Sequence, residues 1–116
     1  MITPDRTTAP AFKTIQHINV TRAKTHTLSN GIKVYSISAG SQEITKIEFV
    51  FRAGMYYQPA SLIASTTNTL LESGTRSYTA DELSDGIDFF GSFLELETGQ
   101  DFALLSLFSL NKYLEQ

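Results

Sequence analysis

The chain has 116 residues, nine Lys and Arg against twelve Asp and Glu, a formal net charge of −3, and no cysteine. The basic residues are scattered, which argues against a nucleic-acid partner, because phosphate binding needs a positive patch. Without cysteine the chain can form no disulfide, thiolate zinc site, iron–sulfur cluster or cysteine nucleophile. A hydrophobic content of 41% points to one globular domain with a modest core rather than to disorder.

The stretch MITPDRTTAPAF lacks the cationic start and apolar core of a signal peptide. No apolar run approaches the roughly 20 residues of a membrane helix. The expectation is a cytoplasmic chain with neither membrane nor nucleic acid as partner. Residues 1–23, Thr- and Pro-containing and weakly patterned, read as an N-terminal arm with a short strand near Ile15 to Val20. Residues 24–116 read as the domain.

THTLSNGIKVYSIS, residues 25–38, has Asn30-Gly31 between two strand-like runs. Both residues tolerate the positive φ of a tight hairpin turn. In ITKIEFVFRAG, Ile47, Phe49 and Phe51 alternate with Glu48, Val50 and Arg52, a strand with one apolar face. Pro59 suits the first turn of a helix. Leu62, Ile63, Leu70 and Leu71 give that helix an apolar stripe, and Gly74 is its expected stop. The middle of this helix is Ser-Thr-Thr-Asn-Thr, residues 65–69, a run of poor helix formers.

Thr79 to Glu82 reads as a capping box. Behind it Leu83, Ile87 and Phe90 make a helical stripe that ends at Gly91. SFLELET alternates Leu94 and Leu96 with Glu95 and Glu97, and DFALLSLFSL is apolar on both faces, as a central strand is. Asn111 is placed to cap a further helix beginning KYLEQ. The order β-β-β-α-α-β-β-(α start) gives an α+β fold: a mainly antiparallel sheet with helices packed on one face.

Few residues announce chemistry. His17 and His26 have no carboxylate or second His at metal-ligand spacing, so a solvated or hydrogen-bonded role is favoured. There is no Gly-x-Ser-x-Gly elbow, Walker loop or Gly-x-Gly-x-x-Gly. Glu95 and Glu97 share a strand face, where paired carboxylates can do acid–base work; with nothing else converging on them, a solvated face is the better reading. Glu72, Asp81, Glu82, Asp85 and Asp88 read as helix-surface and capping charges. Arg52, after a buried-looking strand, can pair with a carboxylate or bind a substrate terminus, and the structural pairing is favoured.

The succession LSNGIKVYSI, KIEFVFRAGMYYQPA, a helix closing on LLESGT, and TADELSDGIDFFGSFLELETGQDFALLSLFSL resembles the N-terminal part of the pitrilysin/insulinase family of zinc metallopeptidases. That family includes the bacterial and mitochondrial processing peptidases. The resemblance runs from about Thr25 to the end of the chain. In active members the helix after the RAG strand carries an inverted His-x-x-Glu-His motif. Positions i, i+3 and i+4 share one helical face, so two imidazoles hold Zn²⁺ while the Glu activates its water. Anchored on Gly74-Thr75, the first His position falls on Ser65, the Glu on Asn68 and the second His on Thr69. Hydroxyls are poor zinc ligands and an amide is no general base. The family's third ligand, a Glu, lies downstream of residue 116.

The resemblance therefore implies a non-catalytic member or N-terminal piece, with no zinc of its own. It would act as a peptide-binding or assembly subunit beside a zinc-bearing partner, or with a C-terminal portion beyond residue 116. Inactive members pair with active ones in the family. By position, Leu94, Glu95, Leu96, Glu97 and Thr98 match the edge strand to which the family adds a peptide. A piece of the domain would leave a sheet edge and a core face uncovered, so self-association is also expected. Two alternatives stand: an active zinc peptidase with non-standard ligands such as His26, and an unrelated α+β interaction module.

Overall fold

A computed structural model describes residues 7, 9 and 12–115. Its contacts divide the chain into two compact units, Met1–Ser41 and Gln42–Gln116. The hairpin thus groups with the N-terminal segment, whereas the sequence suggested a boundary after residue 23.

In the first unit, residues 12–23 form no strand, contrary to the expectation for Ile15 to Val20. Ile15, Ile18 and Val20 are all exposed, and among the described residues no strand pairs with this stretch. β1 (Lys24–Thr27) and β2 (Lys33–Ser36) pair antiparallel, Lys24 opposite Ser36 and Thr27 opposite Lys33. The Leu28 N–H donates to the Ile32 carbonyl at 2.9 Å, so three residues, Ser29 to Gly31, make the turn. Only Gly31 takes positive φ, at 85°. Asn30 contributes its side chain instead: Oδ1 accepts the Ile32 N–H at 3.1 Å. A three-residue hairpin loop needs one left-handed residue, not two.

The second unit is built on a three-stranded antiparallel sheet, in the order β3 (Ile44–Phe51), β5 (Ala103–Leu110), β4 (Phe93–Thr98). The apolar DFALLSLFSL segment supplies the central strand. Register places Ile47, Phe49 and Phe51 beside Leu107, Leu105 and Ala103, and these beside Leu94, Leu96 and Thr98. Alternation puts all nine on one face. The other face carries Lys46, Glu48 and Val50, then Phe108, Ser106 and Leu104, then Phe93, Glu95 and Glu97. There Phe93 stacks on Phe108 with centroids 4.4 Å apart. Lys46 pairs with Glu48, and Glu48 accepts the Ser106 hydroxyl at 3.0 Å.

Two helices, α1 (Ile63–Thr69) and α2 (Ala80–Phe89), lie over the first face. α2 has the expected capping box: Glu82 N–H donates to Thr79 Oγ1 at 3.3 Å, and Thr79 N–H to Glu82 Oε2 at 2.8 Å. Leu83, Ile87 and Phe90 are half-buried and border Ile47 and Leu107. Asn111 does not cap a following helix. Its Oδ1 accepts the Thr45 hydroxyl at 2.7 Å, and a single 3₁₀ turn, Asn111–Tyr113, follows Leu110. Leu110, not Asn111, stands at the cap position of that turn.

The turn between β4 and β5 anchors the chain that leads to α1. Gly54, Met55 and Tyr56 donate their N–H groups to the carbonyls of Asp101, Gly99 and Gln100 at 3.2, 3.0 and 2.9 Å. Gly54 is buried here, and a Cβ on it would lie 2.5 Å from the Asp101 carbonyl carbon and the Gln100 oxygen. Only glycine permits that approach.

The core is thin. Among the described residues the buried apolar side chains are Ala64 and Ala103, while Phe49 is 53% and Phe51 47% exposed.

Candidate functional site

α1 differs from its expected form in extent, entry and buried face. It spans seven residues and starts after Leu62, whose φ of 71° is left-handed. Pro59 therefore precedes the helix rather than opening it. Leu70–Glu72 tightens into a 3₁₀ turn before Gly74, whose φ is 113°. The leucine stripe is not the packed one: Leu62, Ile63, Leu70 and Leu71 are exposed, whereas Ala64 and Asn68 are buried. Small side chains on this face, Ala64 against a sheet that presents Ala103, let the helix backbone come close.

The three positions to which the resemblance assigned the motif have three different environments. Asn68 is only 5% exposed. Its Nδ2 donates to the Glu97 carbonyl at 2.8 Å, to Thr98 Oγ1 at 3.2 Å and to the Leu104 carbonyl at 3.4 Å. Ser65 Oγ donates to the Leu62 carbonyl at 3.0 Å, within its own turn. Thr69 is exposed. They do not converge on a common point as metal ligands must, and an amide NH₂ occupies the position of the expected base. These residues do not fit zinc. Among the described residues no three His, Cys, Asp or Glu gather as a metal site. His17 and His26 are exposed in the first unit.

The second element is the free edge of β4. Gly99 N–H donates to the Phe102 carbonyl at 2.8 Å, so Gly99 and Phe102 form a hydrogen-bonded pair. Bonded and non-bonded pairs alternate along an antiparallel ladder. Stepping along the register, Glu97–Leu104, Glu95–Ser106 and Phe93–Phe108 are bonded across. Asn68 agrees independently: one amide nitrogen reaches both the Glu97 and Leu104 carbonyls only if they face each other. The N–H and C=O groups of Leu94, Leu96 and Thr98 are thereby left pointing away from β5. Among the described residues no strand pairs with that side.

The five candidate positions thus split in two. Leu94, Leu96 and Thr98 combine edge-directed backbone with half-buried side chains on the helix-covered face. Glu95 and Glu97 are exposed on the opposite face, solvated as their spacing suggested. With Glu48, and on the same face, they help hold the Lys46 ammonium above its ordinary pKa, the Glu48 hydrogen bond being the main cause. Glu48 is lowered by the same bond and by the Ser106 hydroxyl. Among the described residues Arg52 has no carboxylate partner; its Nε donates to the Tyr57 hydroxyl at 3.1 Å and its guanidinium lies 5.5 Å from the ring centroid.

Neither a family model nor a curated protein matches the chain. Among solved structures it is similar to the crystal structure of a peptidase M16 inactive domain from Pseudomonas fluorescens. The TM-score is 0.72 at 24% identity, covering 79% of this chain and 23% of that one. The chain thus has an α+β fold like that of this peptidase M16 inactive domain, antiparallel strands with two helices, and spans less than a quarter of the length of that structure. Within the described residues no helix is long and apolar enough to cross a membrane.

The sequence did not reveal Leu62 or Asn68 in their actual roles. A left-handed leucine carries no signature. For Asn68 there was one clue: an amide at i+4 from an alanine, in a run, residues 65–69, otherwise made of hydroxyl residues.

Proposed function

We propose that this chain is a non-catalytic piece of a cytoplasmic pitrilysin/insulinase-like protein that binds extended peptide on β4, beside a zinc-bearing partner subunit or a C-terminal portion. The open β4 edge carries this reading. Three residues, Leu94, Leu96 and Thr98, offer alternate N–H and C=O groups at the spacing an added strand needs. Side chains of such a strand would lie next to the apolar row on one face and next to Phe93, Glu95 and Glu97 on the other. The emptied helix fits a binding role, because Asn68 braces the β4–β5 pair rather than facing a metal.

Amide hydrogen exchange with an added extended peptide tests the edge. Leu94, Leu96 and Thr98 should gain protection while Glu95 and Glu97, already bonded to β5, should not. Protection of all five equally, or of none, would sink the proposal. Zinc calorimetry tests the second half: tight, stoichiometric binding at α1 would contradict it.

A further inference from the structure

A cavity of about 420 Å³ lies in the second unit between the end of β3, the turn after it and α1. Its apolar wall includes Phe51, Ile63, Leu71 and Ala103, and the polar side chains of Arg52, Tyr57, Gln58, Thr67 and Asn68 border it. The size is within the roughly 300–1,000 Å³ usual for ligand sites.

The polar groups leave specific valences open. Arg52 Nε is held by the Tyr57 hydroxyl, which fixes the guanidinium and leaves its terminal N–H groups without a partner among the described residues. Gln58 uses Oε1 to accept the Ala64 N–H at 3.2 Å, so its NH₂ is free to donate. Asn68 spends its NH₂ on the sheet, and its Oδ1 has no donor among the described residues. The Thr67 hydroxyl makes no hydrogen bond to another described residue.

We propose that this cavity binds the C-terminal residue of a peptide whose last side chain is apolar. The free carboxylate pairs with Arg52, whose planar fork suits bidentate recognition. The apolar side chain enters the wall of Phe51, Ile63, Leu71 and Ala103. The terminal residue's N–H meets the open acceptor Asn68 Oδ1, and the preceding carbonyl meets Gln58 or Thr67. A fatty acid matches the cation and the wall but would strip water from Gln58, Thr67 and Asn68 without replacing it. A free C-terminus matches every open group. This site is separate from the β4 edge and stands or falls independently of it.

NMR titration of the full chain with N-acetyl-glycyl-leucine, its C-terminal amide and octanoate tests the assignment. The free acid should shift the Thr67 and Ala103 amides and bind about tenfold more tightly than the amide, as expected for a charge-assisted pair. Arg52→Gln, at an exposed position, should remove that difference between acid and amide. Equal affinity for acid and amide overturns the proposal. So does the absence of shifts at Thr67 and Ala103, or octanoate binding more tightly than the peptide acid.

Discussion

α2 begins at Thr79 with a reciprocal cap, presents Leu83, Ile87 and Phe90 to the sheet, and stops at Gly91. α1 begins after a left-handed Leu62, has no side-chain cap, and packs through Ala64 and Asn68 while the leucines that flank it are exposed. Local signals specify α2. By contrast, α1 holds its seven residues against the sheet through a buried amide and a close backbone approach. Short uncapped helices are marginal alone, so α1 depends on its tertiary contacts to a degree that α2 does not.

Substitutions at Asn68 should break this contrast most sharply. Asn68→Asp places a carboxylate against the carbonyls of Glu97 and Leu104 and should destabilise the second unit by about 3 kcal/mol or more at neutral pH. Urea unfolding would measure it, and the loss should shrink on acidification as the new carboxyl protonates. If this substitution proved neutral, the bracing role of Asn68 would be wrong. Asn68→Ala should cost less, about 1–3 kcal/mol, because both carbonyls keep their ladder partners.

Thr79→Ala should cost about 1 kcal/mol through loss of the cap, with the effect confined to α2. Hydrogen exchange at Leu83 and Ile87 should rise while that at Asn68 stays unchanged. Leu62→Asn should act in the opposite sense. Asparagine tolerates the left-handed region, and relief of a strain of roughly 1 kcal/mol at a residue 72% exposed should raise the thermal midpoint. A lower midpoint would mean that the leucine packs against something the second unit needs.

The smallest effect concerns pH. The Glu82 carboxyl is held below its ordinary pKa, chiefly by the Thr79 backbone N–H and then by the Thr79 hydroxyl. A depressed folded value stabilises above the unfolded pKa and is lost as pH falls through the folded one. Acidification below the ordinary carboxylate range should therefore fray the start of α2 while leaving α1 intact. Chemical shifts at Thr79 and Leu83 would follow this, and Glu82→Gln should flatten the dependence.

Legibility followed the range of the interaction. The capping box, the β3 and β4 alternation and the two-faced β5 are patterns within ten residues, and each formed where the chain spelled it. The hairpin formed too, but its loop length depended on which N–H Asn30 found. Asn111 is not the cap: Leu110 holds that place, and the Asn111 amide oxygen accepts from Thr45, 66 residues away in sequence. At the candidate site, Leu94 to Thr98 could be placed on a strand, yet which three point their backbone at the open edge depends on the pairing phase set at Gly99 and Phe102. Arg52 could be suspected but not assigned, since its partner is a tyrosine ring rather than a carboxylate.

By itself the sequence determined the alternation of apolar faces, the capped second helix, and the absence of imidazole and carboxylate at residues 65, 68 and 69. These are properties of residue type and of spacing along one element. The tertiary structure alone decided that Asn68 turns inward to brace β4 on β5, that Ala64 rather than the leucines is buried, and that one β4 edge is left open. Those outcomes depend on which groups meet across the sheet, where a hydrogen bond of about 3 Å outweighs the helix propensity of any single residue.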